Sequence, residues 1–263
     1  MYNVFGFAII VGILIAARNF LGVSADFYLD EVALLIVIGG TLATAIISFP
    51  PKYLVAFFTA PWKMLKSKKI NFNDSIEILV RTSNYGRKSL SVVRQLLDKK
   101  EVEPFLKEGV ELLLLGLERQ EFKKILTERI YRTRQRDEEL VSLFRRLAKY
   151  PPAFGLVGTV LGLVSLMRSV GQGADASQIG LNMALALIAT LYGLGFANFV
   201  LAPISEHFLQ RAEDKKVFNE LLLEGLLMIY DQKSPLTVQE MLNSYLDPKD
   251  RVDIVGIHHS ESA

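Results

Sequence analysis

Two apolar runs, PPAFGLVGTVLGLVSLM at residues 151–167 and IGLNMALALIATLYGLGFANFVLAP at residues 179–203, are rich in Gly, Ala and Thr and contain no Asp or Glu. Hydrocarbon about 30 Å thick takes roughly 20 apolar residues in helical form, because each backbone polar group must find its partner within the segment. The two runs therefore read as membrane helices that pack closely into a pore wall. A wall without a carboxylate cannot by itself pass a cation by reversible protonation or by coordination to a charged group. The missing acid is expected on another chain.

The 263 residues are 51% hydrophobic and 22% charged, and the mean hydropathy is positive despite that charge. Such a balance requires apolar blocks set apart from a charged block. Four stretches approach spanning length: residues 2–21, 32–49, 152–170 and 180–203. The first lacks a basic leader and a small-residue cleavage site and is followed closely by a second apolar stretch, so it reads as a retained helix. With no Cys, disulfide and thiolate chemistry are excluded.

Lys and Arg gather on the cytoplasmic side of spans, which sets the orientation. The loop between the first two stretches carries Asp26, Asp30 and Glu31 and no basic residue, whereas Lys52, Lys63, Lys66, Lys68 and Lys69 follow the second. Arg145, Arg146 and Lys149 precede the third, and Arg211, Lys215 and Lys216 follow the fourth. Both termini are expected inside the cell, with residues 171–179 as a short external loop. Arg18 and Arg168, near span ends, are expected to reach to the interface.

The fold class expected is an all-α membrane protein with four transmembrane helices. A helical cytoplasmic domain would separate the second and third spans, and a helical cytoplasmic tail would follow the fourth. The expected divisions are a first hairpin at 1–49, a cytoplasmic domain at 50–151, a second hairpin at 152–204, and a tail at 205–263. YLVAFFTAPWKMLKSKK, with Trp62, suits a helix lying along the headgroups; an ordinary amphipathic core helix reads the same way. Helical spacing recurs through 76–80, 89–97, 105–117 and 121–147, and no strand alternation is seen. The tail is expected to break near Ser234-Pro235 and to be disordered over DIVGIHHSESA.

Steps of three and four place Gly155, Gly158 or Thr159, Gly162 and Ser165 on one side of the third span, and Ala186, Thr190, Gly193 and Ala197 on one side of the fourth. Small residues let helix backbones approach in lipid, where solvent does not drive helices together. Thr159 and Thr190 have two readings: a bond to their own i−4 carbonyl, or a hydroxyl facing water or an ion. Pro152 and Pro203 read as punctuation at the start of the third span and the end of the fourth.

At these residues the chain resembles the MotA/PomA family, the membrane subunit of the flagellar stator. PPAFGLVGTVLGLV and MALALIATLYGLGFANFVLAPI carry the resemblance, and the order of apolar and charged blocks extends it over residues 1–245. The resemblance implies a subunit, not an enzyme, that converts an ion gradient into torque. Several copies, a pentamer, would surround a MotB/PomB-type single-span partner bearing an essential Asp, in the bacterial inner membrane. It further implies that Thr159 and Thr190 lie near the ion pathway, that Pro152 and Pro203 couple ion flow to rotation, and that Arg87 and Lys88 meet a FliG-type rotor switch protein. The acidic rotor-contact position falls at Gln95 or Leu96 in the simplest alignment, a departure from the family. Asp98 or Glu101 is expected in its place. No cofactor is implied beyond the transported ion, and H+ and Na+ stay equally open.

Histidines 207, 258 and 259 have no carboxylate at ligand spacing, so no metal site is expected. No phosphate loop or nucleophile elbow is present. The basic residues interleave with acids and flank spans, which anionic lipid explains better than nucleic acid. The rival functions are an ExbB/TolQ-type energiser of a periplasmic protein, disfavoured because those subunits place one span before the cytoplasmic block, and a membrane scaffold whose small-residue faces only pack.

Overall fold

The computed structural model of the chain describes residues 2–22, 28–65, 72–85 and 102–255, and among these all regular structure is helical. Helix α1 covers Tyr2–Leu21. Helix α2 covers Glu31–Ser48, with a π-helical stretch at Leu35–Gly39. Helices α3, Pro51–Leu65, and α4, Phe72–Tyr85, follow. Then come α5, Pro104–Leu114, α6, Arg119–Leu147, and α7, Tyr150–Gly171. Helix α8, Ala176–Gly195, runs through a π-helical stretch at Phe196–Leu201 into α9, Ala202–Tyr230, and α10 is Pro235–Asn243.

Local chemistry fixes several of these ends. Asp30 sits in extended backbone and accepts the Ala33 N–H at 2.7 Å, starting α2. Asp175 does the same for Gln178 at 2.9 Å and starts α8 at Ala176, four residues before the Gly180 expected from hydropathy. Ser234 caps α10 through Thr237 with Pro235 behind it, which is the break expected there. Gly116 and Gly173, with φ of +67° and +77°, turn the chain just beyond α5 and α7, where a side chain would be strained.

Among the described residues three helices are long and apolar enough to cross a membrane: Glu31–Ser48, a stretch within Arg119–Gly171, and a stretch within Ala176–Tyr230. Contacts divide the chain into two units, Met1–Ser67 with Asp137–Gln210, and Lys68–Arg136 with Arg211–Ala263.

In the first unit α7 and α8 run antiparallel, as the paired contacts Gly155 with Gly193, Gly158 with Ala189 and Gly162 with Ala186 require. Helix α2 lies against them: its Gly40 faces the Phe154 ring, and its Ala33 is buried with Ile188 and Ala189. A second cluster joins Ala45, Ala60, Leu143, Phe144, Leu147, Leu201 and Ile204, with Phe144 stacked between Phe57 and Phe208. Helix α3 packs Ala60 and Phe57 into that cluster and leaves Val55, Phe58 and Trp62 exposed on its other side.

In the second unit α4, α5, α6, α9 and α10 surround a core of large side chains, among them Leu79, Leu106, Phe122, Leu126, Phe218, Leu222, Leu226 and Leu242. Its rim is ionic. Arg119 forks onto Asp231 at 2.7 and 2.8 Å, which raises the guanidinium above its ordinary value, and Arg134 meets Glu213 at 3.0 Å.

Two expectations are corrected. Pro203 does not end the fourth apolar helix, because helical backbone continues through it to Tyr230. In regular α-helix its ring would press on the carbonyl of Phe199 and one bond would be lost. The π-helical stretch before it widens the backbone, with the Ala202 N–H reaching the Ala197 carbonyl five residues back, and the helix passes on. The tail is not disordered from Asp253. The buried Gln239 accepts the backbone N–H groups of Ile254 and Val255 at 2.8 and 2.9 Å and donates to Asp253, while Asn243 pairs with both the N–H and the carbonyl of Val252. Two side-chain amides thus stand in for a neighbouring strand. Residues 256–263, with His258 and His259, lie outside the described residues.

Candidate functional site: the interface of α7 and α8

The contact between α7 and α8 is made at backbone distance. A Cβ built on Gly155 would lie 3.0 Å from the Ala189 carbonyl oxygen and 3.2 Å from the Thr190 Cα. One on Gly193 would lie 2.5 Å from the carbonyl oxygen of Pro151, and one on Gly162 2.8 Å from the Ala186 Cβ. Each of these positions therefore admits no side chain without moving the facing helix. Gly158 meets the methyl group of Ala189, which is fully buried. Ala186 and Ala197 are buried as well. Ala189 was not singled out from the sequence, although its three-residue step from Ala186 and four-residue step to Gly193 were there to be read.

The two threonines meet inside this contact. Thr159 Oγ1 lies 2.5 Å from Thr190 Oγ1, 3.0 Å from the Gly155 carbonyl oxygen on its own helix and 3.0 Å from the Ala186 carbonyl oxygen across the interface. A hydroxyl has one proton to donate, so Thr159 can satisfy only one of these oxygens as donor at a time. Four neutral oxygens converge on one partly buried point. Chemically, such a cluster can receive a proton donor or contribute ligands to a hard cation, which oxygen donors suit. The i−4 bond of Thr159 is present, and the same oxygen also makes both interhelical contacts.

A second polar patch lies further along the same seam. Ser165 Oγ is 3.3 Å from Asn182 Oδ1, and Asn182 Nδ2 donates to Ser169 Oγ at 2.9 Å. Asn182 and Ser169 were missed, because an isolated amide in an apolar run gives no spacing signal until the facing helix is known. Tyr192 is a third case: its hydroxyl accepts the Asp30 N–H at 3.2 Å and donates to the Tyr28 carbonyl, tying the start of α2 to α8.

Pro151 and Pro152 occupy the first turn of α7, where N–H groups have no helical acceptor and proline costs nothing. Pro151 is buried, and its carbonyl is the one that approaches Gly193. Away from the seam the helices are apolar and uncovered in the single chain: Leu156, Val160, Val164 and Met167 on α7 and Leu181 and Leu187 on α8 are all exposed. Arg87, Lys88, Asp98 and Glu101 lie outside the described residues.

Residues 98–220 match the MotA/TolQ/ExbB proton channel family. The chain is 31% identical over 221 residues to the uncharacterized protein YtxD of Bacillus subtilis, covering 82% of this chain and 78% of that one. It is 30% identical over 225 residues to motility protein A of Cereibacter sphaeroides, covering 86% and 87%. In fold it is similar to a chain of the solved C. jejuni MotAB structure, with a TM-score of 0.86, 18% identity, and coverage of 96% of this chain and 98% of that one. The chain belongs to the MotA/PomA family of flagellar-motor stator subunits, which are ion-channel subunits and not enzymes.

Proposed function

We propose that this chain forms the wall of a flagellar stator channel and that a MotB/PomB-type single-span subunit supplies the carboxylate that handles the ion. The observation that carries this reading is the α7–α8 pair, which joins an acid-free apolar surface to a cluster of neutral oxygens at Thr159 and Thr190. An ionised side chain in hydrocarbon is costly and is kept where it works. The wall stays neutral and the partner carries the charge.

In this reading four helices span the bacterial inner membrane, α1 joining the three that are long and apolar by composition, with both termini and the second unit in the cytoplasm. Several copies, a pentamer, ring the partner with α7 and α8 innermost, and the exposed leucines and valines of those helices are covered by the partner and by neighbouring copies. The outward stripe of Val55, Phe58 and Trp62 on α3 lies along the headgroups. Neutralisation of the partner's Asp changes its attraction to the wall and biases rotation. Each charge crossing the membrane delivers about 2.3 kcal/mol per 100 mV. Pro152 and Pro203 transmit the movement, and Arg87 and Lys88, with Asp98 or Glu101, meet a FliG-type rotor protein through charge complementarity. The transported ion is H+ or Na+, and no other cofactor takes part.

Co-purification tests the partner directly. A single-span protein with an Asp near its helix start and a peptidoglycan-binding domain supports the stator; one with a TonB-like periplasmic domain turns the reading to an energiser. Thr190→Val removes one oxygen of the cluster and is expected to lower ion-driven motility or alter its sodium dependence. Swimming speed that is unchanged at every sodium concentration, at fixed pH, removes Thr190 from the pathway.

A further inference from the structure

The second unit contains a cleft of about 460 Å³ between α5, α6 and α9, a volume within the rough 300–1,000 Å³ of small-molecule sites. Its walls are fixed by ion pairs. Arg129 bonds Glu108 at 2.6 Å and Arg132 bonds Glu128 at 2.7 Å, so these four charges neutralise one another and hold α6 against α5 and itself. Arg136, one turn further along α6, lines the same cleft and makes no ion pair among the described residues. Lys215 of α9 lines the cleft as well.

Two further features line the same cleft. Helix α5 begins at the cleft with Pro104, and no side chain caps its N-terminus. A helix start with basic side chains beside it favours an anion. Asn219 also lines the cleft, is 3% exposed, and has a buried Oδ1 with no hydrogen-bond partner. Buried amides in native proteins are nearly always paired. An amide offers an acceptor beside a donor and exchanges them by turning about its last torsion, which suits it to a ligand edge that also carries both.

We propose that this cleft binds a small organic phosphate bearing N–H groups, of the size of a nucleoside monophosphate. The phosphate lies between Arg136, Lys215 and the start of α5, and the N–H edge pairs with the Asn219 amide. Inorganic phosphate uses only half of this arrangement.

The test is calorimetric titration of the full chain in detergent micelles with AMP, GMP, CMP, UMP and inorganic phosphate. It needs neither a partner subunit nor an ion gradient, so its outcome is independent of the channel reading. At least one nucleoside monophosphate is expected to bind saturably, roughly tenfold more tightly than inorganic phosphate. Arg136→Ala, at an exposed position, and Asn219→Ala are each expected to weaken that binding by about fivefold or more. Three results overturn the proposal: no saturable binding of any nucleotide, equal binding of inorganic phosphate, or full affinity retained in Arg136→Ala. If Asn219→Ala does not fold, Arg136→Ala decides alone.

Discussion

Gly155 and Gly193, in the α7–α8 seam of the first unit, and Gly109 and Gly225, in the second unit, lie against opposite kinds of neighbour. In the first unit a methyl group at Gly193 or Gly155 would strike backbone, the Pro151 carbonyl oxygen at 2.5 Å and the Ala189 carbonyl oxygen at 3.0 Å. In the second, a methyl group at Gly109 would strike Leu226 Cδ1 at 2.2 Å, and one at Gly225 would strike Leu79 Cδ1 at 2.6 Å. Backbone cannot step aside without moving a helix, but the end of a leucine can turn. The difference follows from what holds each unit together. Lipid gives apolar helices no reason to associate, so α7 and α8 depend on close backbone approach and a few shared hydroxyls. The second unit gains stability by taking phenylalanines and leucines out of water, and its helices stay a side chain apart.

The largest effect is expected where that burial is removed. Phe122 is fully buried and stacks on Tyr230, so Phe122→Ala is expected to cost the second unit about 3–5 kcal/mol. Denaturant unfolding followed by far-UV circular dichroism would measure it, and a loss under about 1 kcal/mol would show that the core is not what holds this unit. Gly193→Ala is expected next, at about 1–3 kcal/mol of overpacking strain in the first unit. Thermal unfolding in detergent would register it, and a midpoint equal to the parent's would mean that α7 and α8 tolerate separation. Gly109→Ala is the smallest. The gain in helix propensity, about 1 kcal/mol, is set against a leucine rotamer shift of roughly 0.5–1.5 kcal/mol, leaving a change near zero. A loss as large as that at Gly193 would erase the distinction between the two regions.

The helical class and the small-residue faces were legible because they depend on composition and on steps of three and four, which one chain carries in itself. The charge order from Asp30 to Lys52 was legible for the same reason. What escaped depended on a second segment. Asn182 acquires meaning only when Ser165 and Ser169 face it, and Gln239 only when residues 253–255 fold back to it. Pro203 misled because a proline ends a regular α-helix, while the π-helical stretch that lets the chain continue through it has no residue pattern of its own. Pro151, rather than Pro152, brings its carbonyl against Gly193, a choice between neighbours that only coordinates could make.

The most direct trial of the whole account is ion flux into liposomes, driven by an imposed gradient, with this chain reconstituted alone and then together with a single-span subunit carrying an intramembrane Asp. The account predicts background flux for the chain alone and gradient-driven flux only with both, lost again when that Asp is changed to Asn. Full flux through the chain by itself would contradict it.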